Sequence, residues 1–295
     1  MTIAIFGNAQ KQATVEEVAH LLDYFTAKKV NILLSQELRQ EMNLREYAAF
    51  PSEWEQREGE WCPVGGEPIN FALSIGGDGT FLTTASCIGY RNIPILGINC
   101  GHLGFLADVQ TKDVDVILDK LIQGDYTIEQ RSMLHVTCSE GGHLASQYAL
   151  NEVAVMKQSL SSMLSIDTSL NGELLHTYEA DGLIIATPTG STAYNLSVGG
   201  PILMPQVKSI LLSPIASHSL TVRPLAIPDD WKIDLSVHSR NGNYLISVDG
   251  RSQTMDTGIK LHVERAPYTI KLVQVGQHSF TQSLKDKLLW GKTQN

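Results

Sequence analysis

One carboxylate stands among glycines in Ser74-Ile75-Gly76-Gly77-Asp78-Gly79-Thr80, directly after the apolar run Phe71 to Ile75. Glycines at such a place let backbone amides approach a polyphosphate without interference from Cβ atoms. A helix opening at Thr80 adds the positive end of its dipole. The Asp78 carboxylate is no phosphate ligand, because like charges repel. In such a site it binds a metal, or the hydroxyl that attacks the phosphate. The plain alternative is a glycine-rich turn in which Asp78 caps the helix.

Three further segments have the composition of a binding site. Gly97-Ile98-Asn99-Cys100-Gly101-His102-Leu103-Gly104-Phe105-Leu106 also follows a strand-like run. Ligands of open α/β sheets bind at that carboxyl edge. His102 by itself reads as a surface or capping histidine. Asn151 and Glu152 interrupt a strand-like run from Tyr148 to Met156, and neighbours on a strand face opposite sides. Asp181-Gly182 precedes the buried run Leu183 to Ala186, followed by Thr187-Pro188-Thr189-Gly190-Ser191-Thr192-Ala193-Tyr194-Asn195-Leu196-Ser197. Backbone amides, hydroxyls and an aromatic face together suit a nucleotide. The alternative is a loop with Ser and Thr caps.

The elements that must hold these segments follow from periodicity. Short apolar strands at Thr2–Phe6, Val30–Leu34, Phe71–Ile75 and Ile95–Ile98 alternate with helical stretches, and Thr14 stands as a cap before Val15, Val18, Leu21, Leu22 and Phe25. That pattern predicts an α/β domain with a parallel sheet over residues 1–107. The charged stretch from Phe50 to Glu67 reads as a surface loop or mobile insertion. A charged helix is expected over Thr111 to Gln123. Beyond it, β-rich runs are separated by Asn171-Gly172, Asp181-Gly182, Asn241-Gly242 and Asp249-Gly250. These are hairpin signals, since a type I′ turn needs positive φ at both central residues. Residues 108–280 are therefore expected to form a sandwich-like β-rich domain with edges open to another subunit. A helix over 281–295 is expected to return to the first domain.

Composition excludes several classes. With 22 Lys plus Arg against 31 Asp plus Glu, the 295-residue chain carries a formal charge of −9 and no basic stretch. Nucleic acid and anionic membrane are poor partners for it. Hydrophobic residues make up 43%, enough for a large core. Cys62, Cys87, Cys100 and Cys138 form neither a Cys-x-x-Cys pair nor a zinc spacing, so no residue is singled out as a metal ligand. Reduced thiols and the lack of a signal-like N-terminus predict a cytoplasmic protein. No run reaches the ~20 apolar residues of a membrane span.

Taken in order, these segments resemble the NAD kinase family from about Ile69 to Asp249, with Ser217-His218 and Arg223-Pro224 extending the match. The resemblance implies phosphorylation of the 2′-hydroxyl of the adenosine ribose of NAD to give NADP. It implies ATP or inorganic polyphosphate as donor, a divalent metal such as Mg²⁺ bound with the donor phosphates, and a homodimer or homotetramer. It implies Asp78 as catalytic aspartate, with Gly76, Gly77 and Thr80 as the phosphate loop and Gly79 beside it in the nucleotide site. Asn151 and Glu152 hold nucleotide hydroxyls or base, and Asp181 is a second NAD-contacting carboxylate. Thr189, Thr192, Ala193, Tyr194, Asn195, Leu196 and Ser197 line the adenosine. Glu179 departs from the family, standing where many bacterial members have Arg. It is open to two readings: a solvated strand-end residue, or a carboxylate near the nicotinamide that favours the oxidised, positively charged ring.

Overall fold

The computed structural model describes residues 1–101, 104–158, 163–276 and 279–289. The chain divides into two compact units, Met1–Gln130 with Ile270–Asn295, and Arg131–Thr269. The first boundary falls later than the 107/108 division expected from sequence. The reason is the helix Val114–Gln123, whose Val114, Leu118 and Leu121 join the core of the first unit.

In the first unit β1 (Thr2–Gly7), β2 (Asn31–Leu34), β3 (Ala48–Ala49), β6 (Phe71–Ile75) and β7 (Ile95–Asn99) pair in the order β7-β6-β1-β2-β3, all parallel. A short β8 (Val109–Gln110) pairs with β7. The central strands are mostly apolar and buried along nearly their whole length, as a parallel sheet covered on its faces requires. The chain runs from β1 outward to β3, then returns to β6 on the other side of β1. The topological switch point therefore lies between the ends of β1 and β6. Helix α1 (Gln12–Ala27) buries Val18, Leu21, Leu22 and Phe25. It starts at Gln12, so Thr14 lies inside its first turn, fully buried, rather than at the cap. Helix α2 covers Gln36–Glu41, α3 Asp78–Ile88 and α4 Val114–Gln123.

The segment 50–67, expected as a surface loop or mobile insertion, carries regular structure that its charge did not suggest. It forms an antiparallel hairpin of β4 (Trp54–Arg57) and β5 (Glu60–Pro63), turned by Glu58 and Gly59 at φ 50° and 87°. Its tryptophans pack on Phe50 and Tyr90, which gives the hairpin apolar anchors that a charge count misses.

The second unit is built from β9 (Thr127–Cys138), β10 (Tyr148–Ala149), β11 (Glu152–Met156), β12 (Leu164–Leu170), β13 (Glu173–Ala180), β14 (Gly182–Ala186), β15 (Ser209–Ile215), β16 (Leu225–Pro228), β17 (Ile233–His238), β18 (Asn243–Val248), β19 (Arg251–Asp256) and β20 (Leu261–Gln274, through Thr269 in this unit). One antiparallel layer runs β13-β12-β17-β20 and the other β16-β15-β14-β11-β18-β19. Ile166, Leu183, Ile185, Leu235, Tyr244 and Ile246 share one buried core. Each such side chain contributes about 1.5–3 kcal/mol by leaving water. Of the four turn pairs, Asn171-Gly172 and Asp249-Gly250 close hairpins, with all four residues at positive φ. The other two do not. Asp181-Gly182 and Asn241-Gly242 carry the chain from one layer to the other, because β13 and β14, like β17 and β18, belong to different layers.

The C-terminal helix α6 (Phe280–Leu288) lies in the first unit, where Phe280 packs on Phe105 at 5.9 Å and the Lys287 ammonium sits 4.1 Å over the Phe105 ring. Among the described residues no helix is long and apolar enough to cross a membrane.

Candidate active site

Asp78 does not cap helix α3. Gly77 is the cap, without a side-chain bond, and Asp78 is the first helical residue. Its half-buried carboxylate reaches instead to the loop after β7. Phe105 N–H donates to Oδ2 at 2.7 Å, and Leu106 and Ala107 N–H donate to Oδ1 at 2.9 and 3.1 Å. Bonds of this charge-assisted kind each contribute about 1.5–3 kcal/mol. A Cβ at Gly104 would run into the Asp78 carboxylate, so only glycine admits the loop so close. At Gly76, φ 149° and the approach of the Thr80 side chain impose the same requirement. A carboxylate has about four acceptor positions. Three are filled, and among the described residues the fourth, on Oδ2, has no donor.

At the switch point a cavity of roughly 300 Å³ opens beside Gly79 and Thr80. Gly7 at the end of β1, Asn8 after it, and Ser35 after β2 form its other side. His102 and Leu103 lie outside the described residues.

In the second unit another carboxylate gathers three amides. Asp249 accepts from Leu150 N–H at 2.7 Å, Asn151 N–H at 2.8 Å and Glu152 N–H at 3.1 Å. Burial raises its pKa; those amides and Arg251 oppose the rise. The Glu152 carboxyl is pushed up to about 7, first by burial, then by the Asp249 charge, against the Tyr194 amide, which lowers it. Its Oε2 is buried without a hydrogen-bond partner. Thr187 N–H donates to the Asn151 carbonyl at 2.9 Å, and a Cβ at Gly190 would collide with the Asn151 backbone. Asn151, Glu152 and the 187–197 segment are thus brought together.

Within that segment the roles divide. Asn195 is fully buried and its amide is spent internally, donating to the carbonyls of Ser191 at 3.2 Å and Pro201 at 3.1 Å and accepting from Ser213 Oγ at 2.6 Å. Thr192 Oγ1 donates to the Thr189 carbonyl at 3.2 Å, and buried Thr189 Oγ1 accepts from Arg131 at 3.4 Å. Tyr194 and Ser197 are exposed, and Ala193 and Leu196 half-buried. Asp181 and Glu179 have other partners. Asp181 is 2.7 Å from Lys157 Nζ. Glu179 accepts the Ser165 hydroxyl at 2.6 Å across the β12–β13 pair.

Sequence reasoning missed Asp249, Lys157 and Arg131 as members of these networks. The only signal for Asp249 was its Asp-Gly pair, which reads as a turn. Its amide partners lie 97 to 99 positions earlier, beyond the reach of local patterns.

Two family models match the sequence: the ATP-NAD kinase N-terminal domain over residues 3–126 and the ATP-NAD kinase C-terminal domain over residues 150–275. The NAD kinase of Bacteroides fragilis is 51% identical over 222 residues, 75% of this chain and 77% of that protein. The NAD kinase of Flavobacterium johnsoniae is 38% identical over 299 residues, 99% of each. Yeast NADH kinase complexed with NADH superposes with a TM-score of 0.85 at 25% identity, covering 100% of this chain and 89% of the other. An NAD kinase from Archaeoglobus fulgidus in complex with ATP shares the fold, with a TM-score of 0.74 at 24% identity over 98% of this chain and 99% of the other.

The raised Glu152 pKa has a consequence for stability. Below pH 4.5, the ordinary glutamate value, the group is protonated whether the chain is folded or not. From there to about 7 the unfolded chain ionises and the folded one does not, so rising pH costs stability, and the loss levels off above about 7. Glu152→Gln is expected to flatten this slope: its urea midpoint should gain on the wild type steadily through that window. Parallel curves would mean that Glu152 ionises normally in the fold.

Proposed function

The chain belongs to the NAD kinase family, and from that premise we propose how its residues carry the reaction, transfer of a phosphoryl group from ATP to the 2′-hydroxyl of the adenosine ribose of NAD to give NADP. The observation that carries the residue assignment is the open acceptor position on Asp78 Oδ2. The acceptor hydroxyl donates its hydrogen bond there, and Asp78 takes the proton as the P–O bond forms. The three amides on the same carboxylate fix its direction, which is the positioning that phosphoryl transfer chiefly needs.

The cavity at the switch point is assigned to the donor, with the N-terminus of α3 directed at its phosphates. Glu37 and Glu41 also line this cavity. Two carboxylates beside a polyphosphate repel it unless a cation accompanies the donor. Among the described residues no group of three His, Cys, Asp or Glu side chains is placed to hold a metal. Mg²⁺ binds through donor phosphates with one or two carboxylates, and Glu37 and Glu41 are the carboxylates beside this cavity. Such a cation offsets charge on the transferring group.

Glu152 is assigned to the acceptor nucleotide, where a sugar hydroxyl would satisfy its orphaned oxygen. Asn151, Ala193, Tyr194 and Ser197 are assigned to the same nucleotide. Thr189 and Asn195 act as braces behind these residues. Four free cysteines support a reducing, cytoplasmic setting. Leu174, 62% exposed on the edge strand β13, supports assembly as a homodimer or homotetramer.

Asp78→Asn is expected to lower kcat for NADP formation about 10²- to 10⁴-fold. Because its amide N–H₂ would face the loop amides, NAD binding must be measured alongside. A kcat near wild type would sink the base, and an equal loss of NAD affinity would reduce Asp78 to a loop clamp. Turnover is expected to stop in excess chelator and return with Mg²⁺ or Mn²⁺; full activity in chelator would contradict the accompanying cation. Sedimentation velocity is expected to show an oligomer, and a monomer at fully active concentrations would exclude one.

A further inference from the structure

The hairpin β4–β5 has no role in the reaction as assigned, yet its aromatic contacts lead to the cavity beside Gly79. Phe6, at the end of β1, lines that cavity and is 4% exposed. Its ring meets Phe50 edge-on, with centroids 4.9 Å apart at 65°. Phe50 packs on Trp54 at 5.4 Å. The Arg91 guanidinium lies 4.7 Å over the Trp54 ring and 5.1 Å over the Tyr90 ring. Trp61, on the returning strand, packs edge-on against Tyr90 at 4.9 Å.

One end of this chain of rings is anchored beside the cavity, and the other at the far end of a helix that lines it. Phe50 N–H donates to the Leu34 carbonyl at 2.6 Å, next to Ser35, which also lines the cavity. Arg91 Nη1 donates to the carbonyls of Cys87 and Ile88 at 3.1 Å each, at the C-terminal end of α3. The first turn of that helix carries Asp78, Gly79 and Thr80. The hairpin therefore holds one wall of the cavity through Phe6, and the far end of the helix that forms another.

We infer that Phe50 and Trp54 are positioning residues for the donor nucleotide, acting through Phe6 and Arg91 to set the width of the crevice between β1 and α3. Neither side chain lines the cavity. Removing the Phe50 ring leaves Phe6 without its edge-on partner, and in a packed wall the vacated space lets the ring turn away from the donor. Catalysis at Asp78 and the residues assigned to the acceptor in the second unit are untouched. The inference rests on the assignment of the cavity to the donor.

Steady-state kinetics on the full chain test both. Phe50→Ala is expected to raise KM for ATP roughly three- to tenfold, the range set by loss of one aromatic pair. Its kcat and its KM for NAD should stay within about twofold of wild type. Phe50→Tyr, which keeps the ring, should restore KM for ATP. Trp54→Leu, a milder change, should move it in the same direction should Phe50→Ala fold poorly. Phe25→Ala, in the core of the same unit, should lower the melting temperature without moving KM for ATP, which separates positioning from general stability. Thr83→Trp places bulk in the cavity from an exposed helix position and should raise KM for ATP strongly. An unchanged KM for ATP in folded Phe50→Ala and Trp54→Leu, with Thr83→Trp impaired, overturns the inference alone. No effect from Thr83→Trp overturns the donor assignment and the inference with it.

Discussion

Three backbone amides converge on the carboxylate of Asp78, and much of the first unit's ligand edge follows from that convergence. The loop 104–107 must come close enough for its N–H groups to reach the first turn of α3, which no side chain at position 104 would permit. The other side of the loop is fixed in the same way. Asn99 Nδ2 donates to the Ala107 carbonyl at 3.2 Å, and Asn99 Oδ1 accepts Gly101 N–H at 2.7 Å. A Cβ at Gly97 would lie 2.7 Å from the Ala107 Cα and the Leu106 carbonyl oxygen. Glycines that look like loop punctuation are therefore demanded by close backbone approach. A carboxylate drawn partly out of water is costly unless its acceptor positions are filled, and these amides fill three of them.

Asp249 repeats the device in the second unit with a different outcome. It also binds three amides, yet burial outweighs them and its pKa rises. Its negative charge then adds to the burial of Glu152 and keeps that neighbouring carboxyl near neutrality of charge up to about pH 7. The two clasps do the same mechanical task, bending a loop so that successive N–H groups meet one anion. They differ in what they leave for a ligand. At Asp78 the spare acceptor belongs to the clasp itself. At Asp249 it belongs to the last of the three amide donors, Glu152, at Oε2.

Much of this was legible in the sequence, and the remainder was not for physical reasons. The parallel sheet was written in short, mainly apolar runs such as Phe71–Ile75, and the site segments in ordered Gly, Asn, Thr and Ser motifs. The turn pairs were read correctly as positive-φ positions at Asn171-Gly172 and Asp249-Gly250. That local chemistry is silent on which strands a turn joins, so Asp181-Gly182 and Asn241-Gly242 were wrongly assigned to hairpins. The hairpin at 54–63 was hidden because its charged residues face water while Trp54 and Trp61 anchor it on distant rings. Long-range partners set the rest: Asp249 to its amides, Asp181 to Lys157, Glu179 to Ser165.

The hydroxyl-rich segment 187–197 shows why motif and contact must be kept apart. Its density of Ser, Thr and Asn suggests a surface of side-chain donors for a nucleotide. Most of those groups bond inward instead. Thr187 Oγ1 donates to the Leu150 carbonyl at 2.5 Å, Ser191 Oγ to the Pro188 carbonyl at 2.6 Å, and Asn195 spends its whole amide within the fold. Gly200 is glycine because a Cβ there would strike the Asn195 amide. What remains toward solvent is backbone, the ring of Tyr194 and the hydroxyl of Ser197. Under the assignment proposed above, a surface of that kind recognises its ligand by shape and amide geometry, and it needs no basic side chain. That is how a chain with a net charge of −9 can bind two phosphorylated nucleotides.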